Sequence, residues 1–260
     1  MRSIPSGRRA LLGLLAVLPL LAGTAAAAEL KVMSSGAFTA PLRLLIPEFE
    51  KATGHTITLS LGASMGNAPD AIPNRLARGE AADIVIIAGE SIDKLIAEGR
   101  LRPGSRTDIV LSRIGVTVRT GAPKPDIATV EAVRSMLLEA PSIAYSASAS
   151  GVYVSTELYQ RLGIAEQVAP KSRRILSERV AAVVARGEAA VGFQQVSEIL
   201  GIPGADYVGP LPEALQRVTA FSAGLAAGAA QPEAARQLVA FLRAPAAHPV
   251  IRSLGLDPAP

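Results

Sequence analysis

The chain is poor in the residue types that most often build metal sites and ring-stacking sites. It has no cysteine, no tryptophan, two histidines and 3% aromatic residues. Without cysteine there is neither a disulfide nor a cysteine-linked lipid anchor. His55 and His248 are far apart in sequence, which excludes a histidine-rich metal site and disfavours a serine–histidine–acid triad, and we expect both rings at the surface. The scarcity of aromatic rings argues against a stacking site for sugars or aromatic ligands.

Residues 1–28 have the pattern of a secretory signal peptide, which predicts a periplasmic protein. Three arginines near the start precede an apolar run over 10–22 and small residues over 24–28. A retained membrane anchor needs about 20 apolar residues, and Pro19 and Gly23 interrupt a run that is already shorter. We therefore expect export, cleavage and no membrane insertion of the mature protein. The sequence leaves general secretion and twin-arginine export open.

The mature chain is almost neutral. In the full chain 26 basic and 22 acidic residues give a formal charge of +4, and removal of the three arginines of the leader leaves 23 against 22, a charge of +1. A surface without excess positive charge argues against nucleic acid as a partner. We expect a monomer of about 230 residues, a length that fits one large or two small domains.

The order of predicted elements indicates an α/β fold. Apolar strands alternate with helices that stop at glycine, and the pattern restarts after Arg113. In the first half the predicted strands cover 30–33, 55–61 and 83–87, and the predicted helices cover 42–53, 69–78 and 91–98. Such alternation predicts a mainly parallel sheet flanked by helices, once in each half of the chain.

Two further patterns predict how the halves are divided. The segment 77–84 (ARGEAADI) recurs over 185–192 (ARGEAAVG), each time as a helix end followed by glycine and a strand. The repeat supports two similar lobes, although two ordinary helix ends would look alike. A strand over 218–225 and a helix over 232–242 predict a return to the first sheet. The predicted domains are therefore a signal peptide 1–28, a first lobe 29–112 completed by 211–260, and a second lobe 113–210.

Two segments join a short apolar strand to a loop rich in serine and glycine at the start of a helix. They are 30–37 (LKVMSSGA) and 143–152 (IAYSASASGV), one in each predicted lobe. Backbone N–H groups at a helix start have no internal partner and lie at the positive end of the helix dipole, so they hold anions. We expect two lobes that close on a small anionic ligand. In the second loop Ser148 and Ser150 would bind it by their hydroxyls, while Gly151 lets the backbone come close.

These loops and the order of elements resemble the type II periplasmic solute-binding proteins of the molybdate-binding branch. The resemblance covers essentially the whole mature chain and rests on Ser34-Ser35, 62–66 (GASMG), 78–80 (RGE) with Asp83, and 187–192 (GEAAVG). It implies a two-lobed fold that holds a tetrahedral oxyanion. The residues that it implies around the ligand are Ser34, Ser35, Gly36, Ser64, Met65, Ser148, Ser150, Gly151, Val180, Gln194 and Gln195.

One difference from the oxyanion binders changes the expected ligand. Where those proteins present a tyrosine hydroxyl, this chain has Gln194 and Gln195, whose amides each carry two donors and an acceptor. The segments 64–78, 145–153 and 192–195 look closer to a side branch of the fold that contains periplasmic aconitate isomerases. That resemblance implies a small tricarboxylate ligand and an allylic 1,3 proton shift between its trans and cis isomers.

Arginine is the expected partner of a carboxylate, because the guanidinium binds both oxygens at once. Arg75 lies one turn into the helix after the Ser64 loop, and Arg179 lies beside the helix start at Val180. Both are candidate ligand-binding residues. The alternative for each is a solvated arginine at the surface of its helix.

The expected reaction needs a base, a donor that returns the proton, and fixed positive or N–H groups for the developing anion. The candidate proton carriers are Tyr145, Tyr153, Glu157 or a lysine, and the sequence does not choose among them. No metal or cofactor is expected. Two other functions stay open. One is a non-catalytic receptor that delivers a small carboxylate to an ABC permease, and the other is a molybdate or tungstate receptor, which the glutamine pair disfavours.

Overall fold

The computed structural model describes residues 27–260, so most of the predicted signal peptide lies outside the described residues. The strands are β1 (Glu29–Ser34), β2 (Thr56–Leu61), β3 (Ile84–Ala88), β4 (Thr107–Ser112), β5 (Ile114–Arg119), β6 (Ile143–Ser146), β7 (Ser172–Ile175), β8 (Val191–Gln195), β9 (Ala205–Pro210), β10 (Thr219–Leu225) and β11 (Leu256–Pro258). The helices are α1 (Gly36–Thr53), α2 (Ile72–Ala77), α3 (Gly89–Ala97), α4 (Val130–Glu139), α5 (Ala149–Tyr153), α6 (Tyr159–Arg161), α7 (Ala165–Val168), α8 (Val180–Ala185), α9 (Val196–Ile199), α10 (Pro232–Arg243) and α11 (His248–Ser253). A π-helical turn, Val154–Leu158, joins α5 to α6, and 3₁₀ turns cover Ala169–Lys171, Glu213–Leu215 and Pro245–Ala247.

The strands form two sheets, one in each lobe, which confirms the expected two-lobed α/β architecture. The first sheet has the order β11-β4-β10-β3-β1-β2 and the second has the order β7-β6-β8-β5-β9. In each sheet most strands run in one direction, and antiparallel strands lie among them. The strands β1, β2 and β3 run parallel, as do β6, β7 and β8, whereas β10 runs antiparallel to β3 and β5 runs antiparallel to β8. The antiparallel pairs arise because β5 and β10 are the strands that enter each sheet directly from the other lobe.

Each sheet is buried on both faces by helices. In β1, Leu30 and Val32 face a core shared with α1 and α10, while Met33 faces a second core shared with α2 and α3. In β6, Ile143 faces the core shared with α4, and Ala144 faces the one shared with α8. Since both faces are covered, the polar ends of the strands are the surfaces left for a ligand.

The first helix differs from its prediction in a way that matters for the site. It begins at Gly36, six residues before the predicted start, and it contains Pro41 and Pro47. Pro41 has no backbone N–H, so the carbonyl of Ala37, four residues earlier, loses its usual helical donor. The side chain of Ser197 supplies a donor instead, across 2.7 Å. The second helix is shorter than predicted, because the polypeptide before Ile72 forms a loop that Asn74 holds through the carbonyls of Gly66 and Ala68.

The histidine prediction was wrong for one of the two rings. His55 is 3% exposed, because it follows the Gly54 cap of α1 and lies beneath α10. Its Nδ1 accepts the N–H of Ala28 at 3.1 Å, and its Nε2 lies 3.0 Å from Oε1 of Gln237. His248 is half-buried, with Nε2 3.2 Å from the carbonyl oxygen of Arg243. In residues 27–260 no group of histidine, aspartate and glutamate side chains is arranged to hold a metal ion. Within the same range no helix is long and apolar enough to cross a membrane.

Candidate functional site

A cavity of about 460 Å³ lies between the two lobes, where strands from both sheets end. Its walls are the start of α1, the loop after β2, the loop between β6 and α5, the start of α8, and the start of α9. The lobes meet around it. A Cβ atom on Gly66 of the first lobe would lie 3.2 Å from the carbonyl oxygen of Ala147 in the second lobe, and Ala149 packs against the first-lobe core. Groups from both lobes therefore line the cavity, which is partly open to solvent.

The first-lobe wall contains an unpaired hydroxyl. Ser35 caps α1 in an extended conformation, its N–H donates to the carbonyl of Ile86 at 3.1 Å, and its carbonyl accepts from Thr39. Its own Oγ is buried and is the one such side-chain polar atom without a hydrogen-bond partner in the described part of the chain. Because an unpaired buried hydroxyl is costly, a ligand in the cavity is its natural partner. Ser34 does not share this role, since its Oγ is buried away from the cavity and lies 3.4 Å from the Ser35 carbonyl.

Three predicted ligand-binding residues near α2 do not line the cavity. Oγ of Ser64 accepts the N–H of Ala88 at 3.1 Å, and Met65 packs against the first-lobe core. Arg75 is half-buried and is paired with Glu80. It also donates to the carbonyl of Leu61 at 2.9 Å, and its hydrogen bond to Glu80 raises the pKa of the Arg75 guanidinium. The three residues shape the loop after β2, whereas Gly62 and Ala63 of that loop reach the cavity.

The loop after β6 presents three serines to the cavity, of which one was not predicted. Ser146 ends the strand, and its Oγ lies 3.0 Å from Oγ of Ser150 and accepts N–H groups of Gly151 and Ser148 at 3.3 and 3.4 Å. Ser146 therefore performs the capping role, which leaves the Ser148 hydroxyl without a cap hydrogen bond. Gly151 itself does not line the cavity, and its φ is not in the left-handed region. It is glycine because a Cβ there would lie 1.7 Å from the carbonyl oxygen of Ser146.

Two arginines line the cavity, one from each lobe. Arg179 precedes α8, as the sequence analysis proposed, and Arg43 projects from α1. Within residues 27–260 neither forms a salt bridge with a carboxylate of the protein. Arg43 was missed, although it lies two helical turns after Gly36 and on the same face, a spacing that would have indicated it once the helix start was known. Val180 is buried and does not reach the cavity.

The two glutamines differ in what their amides contact. Gln195 spans the junction of the lobes, where its Oε1 accepts from Oγ of Ser112 at 2.7 Å and its Nε2 lies 3.5 Å from Oγ1 of Thr219. Gln194 accepts the N–H of Ala181 at 3.4 Å, and its amide lies beside the carboxylate of Glu198. The amide of Gln195 is thus occupied by the first lobe, while that of Gln194 faces an acid at the cavity wall.

That acid is a further cavity residue that the sequence did not indicate. Glu198 is the third residue of α9, and its half-buried side chain lines the cavity. Burial raises the pKa of the Glu198 carboxyl to about 7, against the opposing effects of the charge of Arg179 and hydrogen bonds from Gln194 and the Gln195 backbone. No motif marks this position, because its burial depends on how α9 meets the other lobe.

The three predicted proton carriers lie elsewhere. The hydroxyl of Tyr153 donates to the carbonyl of Leu215 at 2.6 Å, and Glu157 pairs with Arg217 at 3.3 Å on the surface. Tyr145 packs edge-on against Tyr159 beside the second-lobe core, with ring centroids 6.4 Å apart. None of the three lines the cavity, and no lysine does.

Comparison with known proteins agrees with this architecture. The family model described as bacterial extracellular solute-binding protein matches residues 30–257. The chain belongs to this family. As a member it shares the fold of the type II periplasmic binding proteins, as expected from the resemblance. A solved periplasmic molybdate-binding protein of Azotobacter vinelandii superposes with a TM-score of 0.71 at 22% identity, covering 87% of this chain and 98% of that one.

Two curated relatives of this chain have different described functions. An aconitate isomerase of Pseudomonas sp. is 45% identical over 247 residues, which cover 95% of this chain and 94% of the relative. The molybdate-binding protein ModA of Rhodobacter capsulatus is 29% identical, with 98% of each chain covered. The similarity to the isomerase is therefore the greater of the two over almost the same length.

Proposed function

We propose that this solute-binding protein is an aconitate isomerase that converts trans-aconitate to cis-aconitate. The observation that carries the proposal is the 45% identity to an aconitate isomerase along 95% of the chain. A match over 95% of the chain includes residues of both lobes. The cavity supplies the second line of support, because its polar groups suit a ligand with several carboxylates.

Two arginines of the cavity suit a polycarboxylate. In the described part of the chain Arg43 and Arg179 line the cavity from opposite lobes without a salt bridge to an acid, so each is available to a ligand carboxylate. The hydroxyl of Ser35 and the first N–H groups of α1 add neutral donors at the same end. In this arrangement one carboxylate lies on each arginine, and the third faces the serine loops. Binding both lobes at once fixes the ligand and excludes water from the reacting carbons.

The reaction itself moves a proton from one carbon of the substrate to another, and the product has the same atoms as the substrate. A proton leaves the methylene carbon of trans-aconitate, and the electron pair of that C–H bond becomes the new double bond. The former vinylic carbon receives a proton. The geometry of the product is set by how the methylene carbon is rotated about its bond to the central carbon when its proton leaves, because that bond becomes the new double bond. The intermediate anion is spread over carboxylates, so fixed N–H and guanidinium groups lower the barrier.

A direct assay tests the proposal. Purified mature protein is incubated with trans-aconitate, and the cis isomer is followed by proton NMR, with heat-denatured protein as the control. Conversion that scales with protein concentration supports the isomerase. Absence of conversion, together with a ligand-induced rise in melting temperature, supports the second candidate instead.

That second candidate is a receptor for a small carboxylate or for a molybdate-type oxyanion, which would pass its ligand to an ABC permease. The relationship to molybdate-binding proteins favours it, at 29% identity. Melting temperatures with molybdate, citrate and trans-aconitate separate these ligands, because a ligand stabilises the form that binds it. We expect the tricarboxylates to raise the melting temperature more than molybdate does.

We further propose that the protein is exported by its first 28 residues, acts as a periplasmic monomer, and divides at residues 112 and 210. Family membership and the pattern of residues 1–28 support export. Mass spectrometry of the protein from a periplasmic extract tests cleavage near Ala28. Limited proteolysis tests the domain limits, since the junctions are the segments expected to be cut first.

A further inference from the structure

Glu198 occupies a specific place between the lobes. It belongs to the second lobe, yet its carboxylate lies against the backbone of Gly36, the first residue of α1 in the first lobe. A Cβ atom on Gly36 would lie 1.9 Å from Oε1 of Glu198, so no larger residue fits there while the carboxylate keeps its position. The acid thus reaches across the cavity wall to the end of α1 where the ligand-binding donors lie.

Neighbouring contacts fix this position. The Oγ of Ser197 donates to the carbonyl of Ala37 at 2.7 Å, next to Gly36, which anchors α9 to α1. On its other side Glu198 lies beside Gln194 and the backbone of Gln195, whose hydrogen-bonding groups favour the charged carboxylate. A carboxylate placed against the first residue of α1 and beside these groups has a defined position, which proton transfer to carbon requires.

The charged groups around Glu198 are few. Arg179 is the charged group whose field reaches it, and Arg43, Asp70 and Glu178 also line the cavity. Asp70 and Glu178 are exposed, and Glu178 is paired with Arg186.

Most charges on or beside the strands that pack against α9 are paired. Asp206 of β9 contacts Lys124, and Arg113 just before β5 contacts Glu213. Arg119, the last residue of β5, is exposed. Glu198 is therefore the acid of the cavity wall that combines burial, contact with both lobes and no salt bridge within 4 Å in the described chain.

We propose that Glu198 is the proton-transfer residue, whose carboxylate removes the methylene proton of trans-aconitate and returns it to the former vinylic carbon. The inference rests on the proposed function. The electron pair of the broken C–H bond forms the new double bond, and the pair of the old double bond forms the new C–H bond. The carboxylate ends in the state in which it began, so no other reactant is needed. Its pKa of about 7 places both protonation states within reach at neutral pH.

The decisive variant is Glu198→Gln, which keeps the shape and removes the base. We expect isomerisation to fall by at least about 100-fold, while trans-aconitate still raises the melting temperature. Deuterium uptake from D₂O into recovered aconitate should fall by the same factor. The matched control is Glu233→Gln, an exposed glutamate on α10 paired with Arg236, which should behave as wild type in all three measurements.

Two further variants keep the acid and change its position. Glu198→Asp shortens the side chain, and Gly36→Ala places a methyl group where Oε1 now lies. Both should lower kcat more than they raise KM. In wild type, kcat/KM should rise with pH through about 7 as Glu198 loses its proton, and the inflection should move in Glu198→Asp.

The outcomes are distinct. If Glu198→Gln isomerises trans-aconitate at a rate within about fivefold of wild type, which corresponds to about 1 kcal/mol in activation free energy, the inference is overturned. The proposed function is then left intact. Loss of the ligand-induced melting shift together with activity assigns Glu198 to binding and also overturns it. If Glu198→Gln does not fold, unchanged kcat in both Glu198→Asp and Gly36→Ala overturns it. A wild-type protein that binds trans-aconitate without converting it overturns the proposed function, and this inference with it.

Discussion

The hydroxyl of Ser197 donates to the carbonyl oxygen of Ala37 across 2.7 Å and joins helix α9 of the second lobe to helix α1 of the first. The carbonyl is available because Pro41, four residues later, has no N–H to offer it. A proline inside a helix weakens that helix. Here Pro41 leaves the carbonyl of Ala37 free to accept a hydrogen bond from the other lobe. The contact fixes the neighbouring Glu198 against Gly36.

Removing this hydrogen bond should weaken the junction of the lobes. In Ser197→Ala a buried carbonyl loses its donor, and we expect the free energy of unfolding to fall by about 1–3 kcal/mol. Urea unfolding followed by circular dichroism measures the change. Ser253→Ala is the control, since its hydroxyl bonds a helix carbonyl at an exposed site, and it should change stability by less than about 0.5 kcal/mol. Equal changes in the free energy of unfolding in the two variants would contradict the role of the Ser197 hydroxyl in joining the lobes.

The arginines should act in binding rather than in folding. Arg43→Ala and Arg179→Ala each remove a charge-assisted hydrogen bond to the ligand, which is worth about 1.5–3 kcal/mol, or roughly 10- to 150-fold in affinity. Isothermal titration with trans-aconitate measures the loss. Arg252→Ala on the exposed face of α11 is the control and should bind as wild type. Unchanged affinity in both cavity variants would show that the ligand lies elsewhere.

The loop after β6 allows structure and binding to be separated. Gly151→Ala forces a methyl group to within 1.7 Å of the Ser146 carbonyl oxygen, and we expect a loss of about 2 kcal/mol or more of stability. Ser148→Ala should instead weaken ligand binding and leave the melting temperature of the free protein almost unchanged, because its hydroxyl forms no cap hydrogen bond. Differential scanning fluorimetry with and without trans-aconitate distinguishes the two. A Gly151→Ala protein as stable as wild type would contradict the crowding seen at this position.

Stability should depend on pH through Glu198. Its pKa in the folded protein is raised to about 7 because burial disfavours the charged form, so the folded state holds a proton that the unfolded state releases. The stabilisation is complete below the pKa of the unfolded chain and is lost as pH rises through the folded value. Between about pH 4.5 and 7 wild type should therefore lose about 1–3 kcal/mol relative to Glu198→Gln. Urea unfolding of both proteins at several pH values across this range measures the difference in free energy of unfolding. A difference that stays constant with pH would contradict the raised pKa of Glu198.

The fold could be predicted from the sequence because its signals are local. Apolar strands that alternate with helices ending at glycine gave the α/β class, and the loops around Ser35 and Ser148 were placed at strand ends, where both line the cavity. Arg179 was placed correctly at the start of α8 for the same reason. Each of these features depends on residues that are close together in the sequence.

The tertiary structure decided what depends on contacts between distant segments. Arg75 and Ser64 have the residue types of ligand-binding groups, but Glu80 and the Ala88 N–H occupy them. Glu198 looks like any glutamate on a short helix. Its burial and raised pKa exist only because α9 docks on the first turn of α1, some 160 residues away in the chain. By itself the sequence determined the elements and the serine-rich loops at the strand ends, whereas the packing of one lobe against the other determined which acid lines the cavity.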